Sequence, residues 1–252
     1  MLQMAYQDDS KVNGDATSSL VGDGIAAARA AWHFGGDVPR NFDAHVRRSV
    51  PFYREGHTLI EQISDFFVTN HSTAYDIGMS TGTLLHRLAN RHSKGTRWIG
   101  IDVEARMVEF AQASSRPVGK VEYVVADACD VALEPADFIL SYYSIQFVPP
   151  RRRQALLDSI YAALNWGGAF LMFEKVRAPD ARFQDLASAL YVDYKLANGY
   201  SPDEIIGKAH SLRGVLEPFS TNGNLDLLKR AGFVDIMSVY KYVCFEGFLA
   251  IK

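Results

Sequence analysis

The chain has 252 residues, of which 48% are hydrophobic and 22% are charged. This length and composition suit one globular α/β domain with additions, and they leave enough apolar residues for a sizeable core. The formal net charge is −3. Proteins that bind nucleic acid usually present a strongly basic surface, so the charge balance argues against a nucleic-acid partner.

The cysteines and the apolar segments exclude further classes. Cys129 and Cys244 are isolated in sequence, which gives neither a disulfide framework nor the ligand spacing of a metal site. We therefore predict no bound metal. No apolar run reaches the length of a membrane span, and residues 1–24 lack the apolar core of a signal peptide. These features predict a cytoplasmic protein without membrane contact.

The N-terminal quarter shows weak patterns. Residues 1–22 are polar and are predicted to form a flexible tail, followed by a short helix in the Ala-rich segment 25–32. Residues 42–53 have no clean period. A helix is predicted after them, because apolar residues recur there at helical spacing. These residues are Leu59, Ile60, Ile63, Phe66 and Phe67. We expect residues 23–70 to form a lid within a domain that spans 23–252.

Beyond residue 70, short apolar runs alternate with helical patterns. Alternation of this kind, with nearly continuous apolar strands, is typical of a parallel sheet covered by helices on both faces. We predict a Rossmann-like, doubly wound, mostly parallel sheet of seven strands with an antiparallel edge strand. The first five strands are predicted at 74–78, 97–102, 121–127, 137–144 and 169–176. The helices between them are predicted at 83–92, 105–114 and 151–164, and residues 165–168 (Asn-Trp-Gly-Gly) are predicted to form a turn.

The alternation breaks after the fifth strand. Residues 180–217 are predicted to form a helical cap, with Pro202 at the start of one helix. A helix at 224–231 and two strands, 234–240 and 244–251, follow. Because these strands are joined by a tight connection, we predict an antiparallel pair at the edge of the sheet.

The turn after the first parallel strand has the composition of a ligand-binding loop. Asp76 precedes Gly78, Ser80 and Gly82, and a helical pattern follows. Small residues let the backbone approach a ligand closely, and ligands of doubly wound sheets bind at such strand ends. The third glycine of a dinucleotide fingerprint is missing, and a positive amine would suit Asp76 better than a pyrophosphate. The alternative is a plain strand-to-helix turn.

Acidic residues also end the next two strands. Asp102 lies where a carboxylate accepts hydrogen bonds from both ribose hydroxyls, although it could instead cap the following helix. Asp127 and Ala128 lie where a side chain can meet an adenine amino group, although Asp127 could equally form a turn. Together with Val103, these residues predict a nucleoside site, for S-adenosylmethionine (SAM) rather than NAD.

Eight runs of residues resemble one known family. They are Arg48-Ser49-Val50-Pro51-x-Tyr53, Asp76-x-Gly78-x-Ser80-x-Gly82, Gln146-Phe147, Arg153-Gln154-Ala155-Leu156-Leu157-Asp158-x-Ile160-Tyr161, Leu164-Asn165-x-Gly167-Gly168-Ala169, Glu174-Lys175, Ala197-Asn198-Gly199-Tyr200-Ser201 and Ala231-Gly232-Phe233. The chain resembles the class I SAM-dependent methyltransferases over residues 30–252. In particular, it is similar to the bacterial carboxy-SAM synthases that act in tRNA wobble-uridine modification.

The resemblance implies roles for several residues. By this likeness, the ligand contacts are Tyr53 at the methionine part, Gly78 along its backbone, Asp102 at the ribose, and Asp127 with Ala128 near the adenine. It also implies a homodimer.

The chain departs from that family at two positions. The arginine that holds the extra carboxylate of the synthases' ligand corresponds to Ala209, and an asparagine after their fourth strand corresponds to Tyr142. A buried carboxylate without its charge partner carries a large penalty. The departures therefore favour a retained SAM site without the carboxylate subsite.

Methyl transfer from SAM needs mainly positioning and the exclusion of water. Aromatic faces stabilise a sulfonium through cation–π contacts, so Tyr53 and Tyr142 are candidate catalytic and ligand-binding residues, with packing as the alternative. Tyr143 is expected to pack. His45 in the lid is a further catalytic candidate, with a surface position as the alternative.

The leading hypothesis is a SAM-dependent methyltransferase that acts on a small molecule. The alternative is a SAM enzyme without methyl transfer, either a carboxy-SAM synthase or an enzyme that cyclises SAM to a cyclic amino acid. A third hypothesis, a tRNA-binding or regulatory module, is disfavoured by the charge. Glu174 and Lys175 end the fifth strand near the expected acceptor, or form an exposed pair.

Overall fold

The computed structural model describes residues 19–22, 26, 27, 30, 38–114 and 116–252. In the N-terminal part, β1 (Ser19–Leu20) pairs antiparallel with β2 (Ala26–Ala27). Val21 is fully buried, so the folded part begins before the predicted tail ends. The helix predicted at 25–32 is wrong at Ala26 and Ala27, and its remaining positions lie largely outside the described residues.

Two helices precede the sheet. Helix α1 spans Val38–Ser49 and α2 spans Tyr53–Ser64. Helix α1 was not predicted, although Val38, Phe42 and Val46 recur along it at the four-residue interval of one helix face. The predicted extension of α2 is wrong, since the helix ends at Ser64 and Phe66 is 84% exposed in the turn that follows.

A seven-stranded sheet forms the centre of the molecule, in the order β5-β4-β3-β6-β7-β9-β8. The five strands from β3 to β7 are mutually parallel, and β9 runs antiparallel between β7 and β8. Their bounds are β3 Thr73–Ile77, β4 Arg97–Asp102, β5 Lys120–Val125, β6 Ala136–Tyr142, β7 Leu164–Lys175, β8 Asp235–Tyr242 and β9 Phe245–Ile251. The predicted fold class is confirmed.

The crossover helices cover both faces of the sheet. Helices α3 (Thr83–Arg91) and α4 (Ala105–Ser114) follow β3 and β4, and α5 (Pro150–Ala163) precedes β7. Each face carries its own apolar cluster. Trp98, Phe138 and Phe173 are fully buried in one and Phe170 in the other, and each such side chain contributes about 1.5–3 kcal/mol to folding. The sheet is therefore packed on both faces, and its parallel strands end together at one edge.

The turn predicted at 165–168 lies inside β7 as an irregularity, because the strand begins at Leu164 while its pairing with β6 shifts register before Ala169 and Gly167 has φ +79°. The backbone N–H of Gly167 donates to the Lys252 carbonyl at 2.8 Å, and the Lys252 N–H donates to the Gly168 carbonyl at 3.0 Å. The end of the chain thus pairs with the Gly-Gly segment and holds this bend in place. This contact joins residues far apart in sequence, so no local pattern could reveal it.

The predicted cap is confirmed as two helices. They are α6 (Ala181–Ala197) and α7 (Pro202–Ser211). Ser201 begins α7 with a reciprocal capping box to Glu204, and Pro202 occupies the first turn, where its missing N–H costs nothing. Helix α7 packs against β1. A final helix, α8 (Thr221–Ala231), leads into β8.

Candidate functional site

A cavity of about 530 Å³ lies at the carboxyl ends of the parallel strands. The sheet side is formed by residues 76–81, 101–103, 126–128 and 142–149. Helix α1 contributes Phe42, His45, Val46 and Ser49, and the cap helices α6 and α7 close the opposite side. The predicted lid and cap therefore meet over the strand ends where a ligand of a doubly wound sheet binds.

The turn after β3 is built by left-handed backbone conformations. Gly78 has φ +75°, and a Cβ added there would lie 2.2 Å from Ser144 Oγ. Ser80 also has a positive φ, of 52°, which is uncommon outside glycine. Gly78 and Ser80 line the cavity, as predicted, but Gly82 does not. A Cβ on Gly82 would lie 2.8 Å from Ala111 Cβ, so this glycine lets α3 pack closely on α4, and its role as a cofactor contact stays a prediction.

Asp76 is a buried carboxyl without a donor. Its side chain is 2% exposed, lines the cavity and accepts no hydrogen bond from the residues that the structure describes. Burial, and secondarily the charge of Asp102, raise the pKa of Asp76 to about 7. A carboxylate in this position is costly unless a positive group is supplied. The cavity therefore has a site for a ligand cation at Asp76.

Asp102 is held in a fixed orientation at the end of β4. Its Oδ2 accepts the Ser80 N–H at 2.8 Å, and its Oδ1 accepts the Glu104 N–H at 2.9 Å. Burial raises its pKa, while these two bonds oppose the shift. Each oxygen keeps a lone pair for a ligand hydroxyl. This geometry allows Asp102 both to cap the start of the helix and to face the ligand. The neighbouring Val103 also lines the cavity, and it is 71% exposed.

Asp127 and Ala128 line the cavity after β5. Asp127 already has partners, since Oδ1 accepts the Cys129 N–H at 2.9 Å and Oδ2 accepts from Arg152 at 2.6 Å. The predicted turn role is therefore present. A ligand amino group at this point would share an oxygen that Arg152 or the Cys129 amide already uses.

An aromatic wall stands between the sheet and α2. The rings of Tyr53 and Tyr142 lie 5.0 Å apart, and the Tyr142 hydroxyl donates to the Tyr53 carbonyl at 2.9 Å. Burial raises the pKa of both phenols well above the usual value, so they stay neutral and cannot act as bases near pH 7. Their faces are available to a cation in the cavity.

Two further rings complete this wall. Tyr143 is buried and packs edge-on to Phe173 and Phe245, in agreement with its predicted packing role. His57 was not predicted. It lies 4.7 Å from the Tyr53 ring, and burial lowers its pKa to about 3. A neutral imidazole therefore supports Tyr53 from behind the cavity.

His45 is buried at 4% exposure and lines the cavity, so the alternative of a surface histidine is wrong. Its Nδ1 lies 3.2 Å from the Tyr200 hydroxyl, which reaches it from the cap. Two further contacts join α1 to the cap. The Tyr191 hydroxyl donates to the Ser49 carbonyl at 2.8 Å, and Arg48 Nε donates to the Asn198 carbonyl at 3.1 Å. These contacts hold the lid closed.

The cap side of the cavity contains two residues that the sequence did not assign to a ligand, Tyr191 and Lys195, beside Lys175, which was expected near the acceptor. Lys175 at the end of β7 and Tyr191 and Lys195 on α6 line it. Glu174, in contrast, is buried at 2% exposure and does not face the cavity. The alternative of an exposed Glu174–Lys175 pair is therefore wrong. Ala209 also lines the cavity, from α7.

The chain matches known proteins over most of its length. A family described as "Methyltransferase domain" matches residues 74–168. A carboxy-S-adenosyl-L-methionine synthase from Staphylococcus epidermidis is 35% identical over 222 residues, which are 88% of this chain and 97% of the relative. The chain belongs to the carboxy-S-adenosyl-L-methionine synthase family. A second member, from Campylobacter jejuni, is 36% identical over 88% of this chain and 94% of its own length.

A solved structure extends the likeness to the fold. A SAM-dependent methyltransferase from Methanosarcina mazei superposes with a TM-score of 0.56 at 17% identity, covering 75% of this chain and 96% of the other. The family's fold is thus that of the methyltransferases. None of the helices in the described ranges is long and apolar enough to cross a membrane.

Proposed function

We propose that this protein is a SAM-dependent transferase that methylates a small molecule enclosed with the cofactor in one cavity. The observation that supports this proposal is a single cavity with two parts. It joins the acidic strand ends at Asp76 and Asp102 to a second compartment under the cap, where Tyr191 and Lys195 lie. A site with two chemically different ends fits two small reactants. Membership of a SAM-enzyme family supports the same cofactor.

The residues present fit SAM. Asp76, buried and without a donor in the described chain, would hold its amine, and Asp102 would accept from its ribose hydroxyls. Ala128, Val103 and Asp127 would contact the adenine. When bound, SAM supplies an electrophilic methyl group on a positive sulfonium.

The protein's own contribution is positioning and the exclusion of water. Tyr53 and Tyr142 remain neutral and present ring faces, which favour positive charge beside them. His45 is tied to Tyr200, so we assign it to holding the lid against the cap at the reacting compartment.

Asp43 positions α1 over the cofactor turn, which gives a test of the lid. Its two oxygens accept from Thr81 Oγ1 at 2.8 Å and Thr83 Oγ1 at 2.7 Å. We expect Asp43→Asn to weaken SAM binding by about tenfold, because the amide has no charge and offers one acceptor oxygen to two hydroxyls that both donate to the carboxylate. Isothermal titration calorimetry measures this, with Arg40→Ala on the exposed side of α1 as the control. An unchanged affinity would show that the Asp43 contacts do not support the cofactor turn.

A second candidate function is carboxy-SAM synthesis, because that is the name of the relatives. Against it, Ala209 lines the cavity where the resemblance places the carboxylate-binding arginine. Cyclisation within SAM is the other reaction that a closed aromatic cavity would suit.

Product analysis distinguishes these reactions. The protein is incubated with SAM and candidate acceptors, and the nucleoside products are identified by mass spectrometry. We expect S-adenosylhomocysteine that depends on an acceptor. Methylthioadenosine formed without an acceptor would support cyclisation, and a SAM derivative heavier by one carboxyl group, formed with prephenate present, would support carboxy-SAM synthesis. Either result would overturn methyl transfer.

The predicted homodimer and the cytoplasmic location belong to this proposal as well. The family resemblance supports the first, and the sequence pattern supports the second. Light scattering of the purified protein would test the dimer.

A further inference from the structure

Two lysines converge in the compartment under the cap. Lys175 ends β7, and Lys195 lies near the end of α6, twenty residues later. Both line the cavity. Their Nζ atoms lie 4.3 Å and 4.5 Å from the centroid of the Tyr191 ring, so one aromatic ring serves two ammonium groups.

Neither lysine has an acidic partner within the described ranges. No carboxylate lies within 4.0 Å of either Nζ, and neither Nζ donates a hydrogen bond to these residues. The other ionisable groups that influence them are Cys244, a buried thiol, and the guanidinium of Arg177. Burial lowers the pKa of both lysines, that of Lys195 to about 8 with a smaller contribution from Lys175. The environment therefore disfavours two adjacent positive charges.

A structural role for the pair does not account for this arrangement. A tyrosine face attracts a cation, but a second ammonium at the same ring adds repulsion without a counter-charge. A pair kept only for packing would be replaced by apolar side chains without loss. An anionic ligand would reduce this repulsion, since a carboxylate accepts charge-assisted hydrogen bonds from ammonium groups.

The cavity is also polarised along its length. Asp76 and Asp102 are at the cofactor end, whereas Lys175 and Lys195 are at the cap end, where Glu204 and Lys208 of α7 also line the cavity. The lining around the lysines is largely aromatic and includes Tyr143, Tyr191 and Phe245. An apolar body with a carboxylate at one end matches this lining.

We propose that Lys175 and Lys195 form an anion subsite that binds the carboxylate of an aromatic or other apolar small-molecule substrate. The substrate role rests on the proposed function, in which a second reactant shares the cavity with the cofactor. The subsite selects acceptors with a carboxylate and fixes their orientation, so that the opposite end of the acceptor points away from the lysines.

The test uses benzoate as the probe and benzamide as its neutral isostere. Both are titrated calorimetrically into the full chain, with and without saturating S-adenosylhomocysteine. We expect benzoate to bind about tenfold more tightly than benzamide, because only the carboxylate pairs with the ammonium groups. In Lys175→Met and Lys195→Met, this preference is expected to fall to about twofold or less. Lys229→Met, on the exposed end of α8, should retain it.

Three outcomes decide the matter. Equal binding of benzoate and benzamide to the wild type, or a preference that survives in both cavity variants, would overturn the subsite. Since each variant removes an unpaired charge, its melting temperature should equal or exceed that of the wild type. If one variant fails to fold, the comparison of benzoate with benzamide on the wild type still tests the subsite. Failure of S-adenosylhomocysteine to bind would instead contradict the proposed function, while the titration without it still decides the anion subsite.

Discussion

Asp102→Ala is expected to abolish detectable SAM binding while leaving the protein folded. The Ser80 and Glu104 amides donate to the carboxylate at 2.8 Å and 2.9 Å and fix its orientation. The side chain therefore need not reorient when its remaining lone pairs accept hydrogen bonds from the ligand. Two hydrogen bonds from ribose hydroxyls to a charged acceptor contribute about 1.5–3 kcal/mol each, which corresponds to a loss of at least about 100-fold in affinity. Calorimetry measures the affinity.

The stability cost of this substitution should be small, about 1 kcal/mol, because only two turn amides lose their acceptor. Glu109→Ala on the exposed face of α4 is the matched control, since its side chain is 65% exposed. If Asp102→Ala bound SAM as the wild type does, Asp102 would have to be removed from the site and assigned to capping the helix alone.

Asp76 is expected to make SAM binding depend on pH between about 5.5 and 7.5, a range chosen below the α-amino pKa of about 7.7–8.0. The free carboxyl has a pKa of about 7, and a bound cation favours its charged form. Below pH 7, binding must therefore release a proton, and affinity falls as pH falls, by up to about tenfold per pH unit. As pH rises through 7, the carboxylate is already charged and the affinity levels off.

Asp76→Asn separates this effect from other titrations. The amide keeps the shape of the side chain but cannot supply the charge, so we expect affinity at pH 7.5 to fall by about tenfold or more and the slope above pH 6 to disappear. The carboxyl group of Asp102 also titrates, but hydrogen bonds from two backbone amides favour its charged form. This group is unchanged in Asp76→Asn, so it contributes equally to the wild type and the variant. Equal affinities of the wild type at pH 5.5 and pH 7.5 would show that Asp76 does not face the amine.

The strands of the parallel sheet could be predicted from the sequence to within a few residues, with β7 as the exception. Buried parallel strands are continuous apolar runs, and helices of clear period separate all but the third and fourth of them. The strand ends followed directly, which is why Asp76, Asp102 and Asp127 could be placed at one edge of the sheet. Their position in one cavity agrees with that prediction. For Gly82 the sequence could not separate two roles, because a glycine that admits a neighbouring helix has the same local signature as one that admits a ligand.

The lid and the cap end of the cavity could not be predicted in the same way. Helix α1 is held by contacts with the cap and with the turn after β3, such as those of Ser49 and Asp43, and these contacts join residues far apart in sequence. Lys175 and Lys195 meet only because β7 and α6 converge on Tyr191. Their spacing in sequence carries no signal, and only the fold shows that they share a compartment.

A crystal structure of the protein with SAM tests the central claim most directly. We predict that the amine lies against Asp76, that the ribose hydroxyls donate to Asp102, and that the adenine lies beside Ala128. A crystal in which the loops after β3, β4 and β5 remain empty, or in which SAM binds elsewhere, would contradict the account.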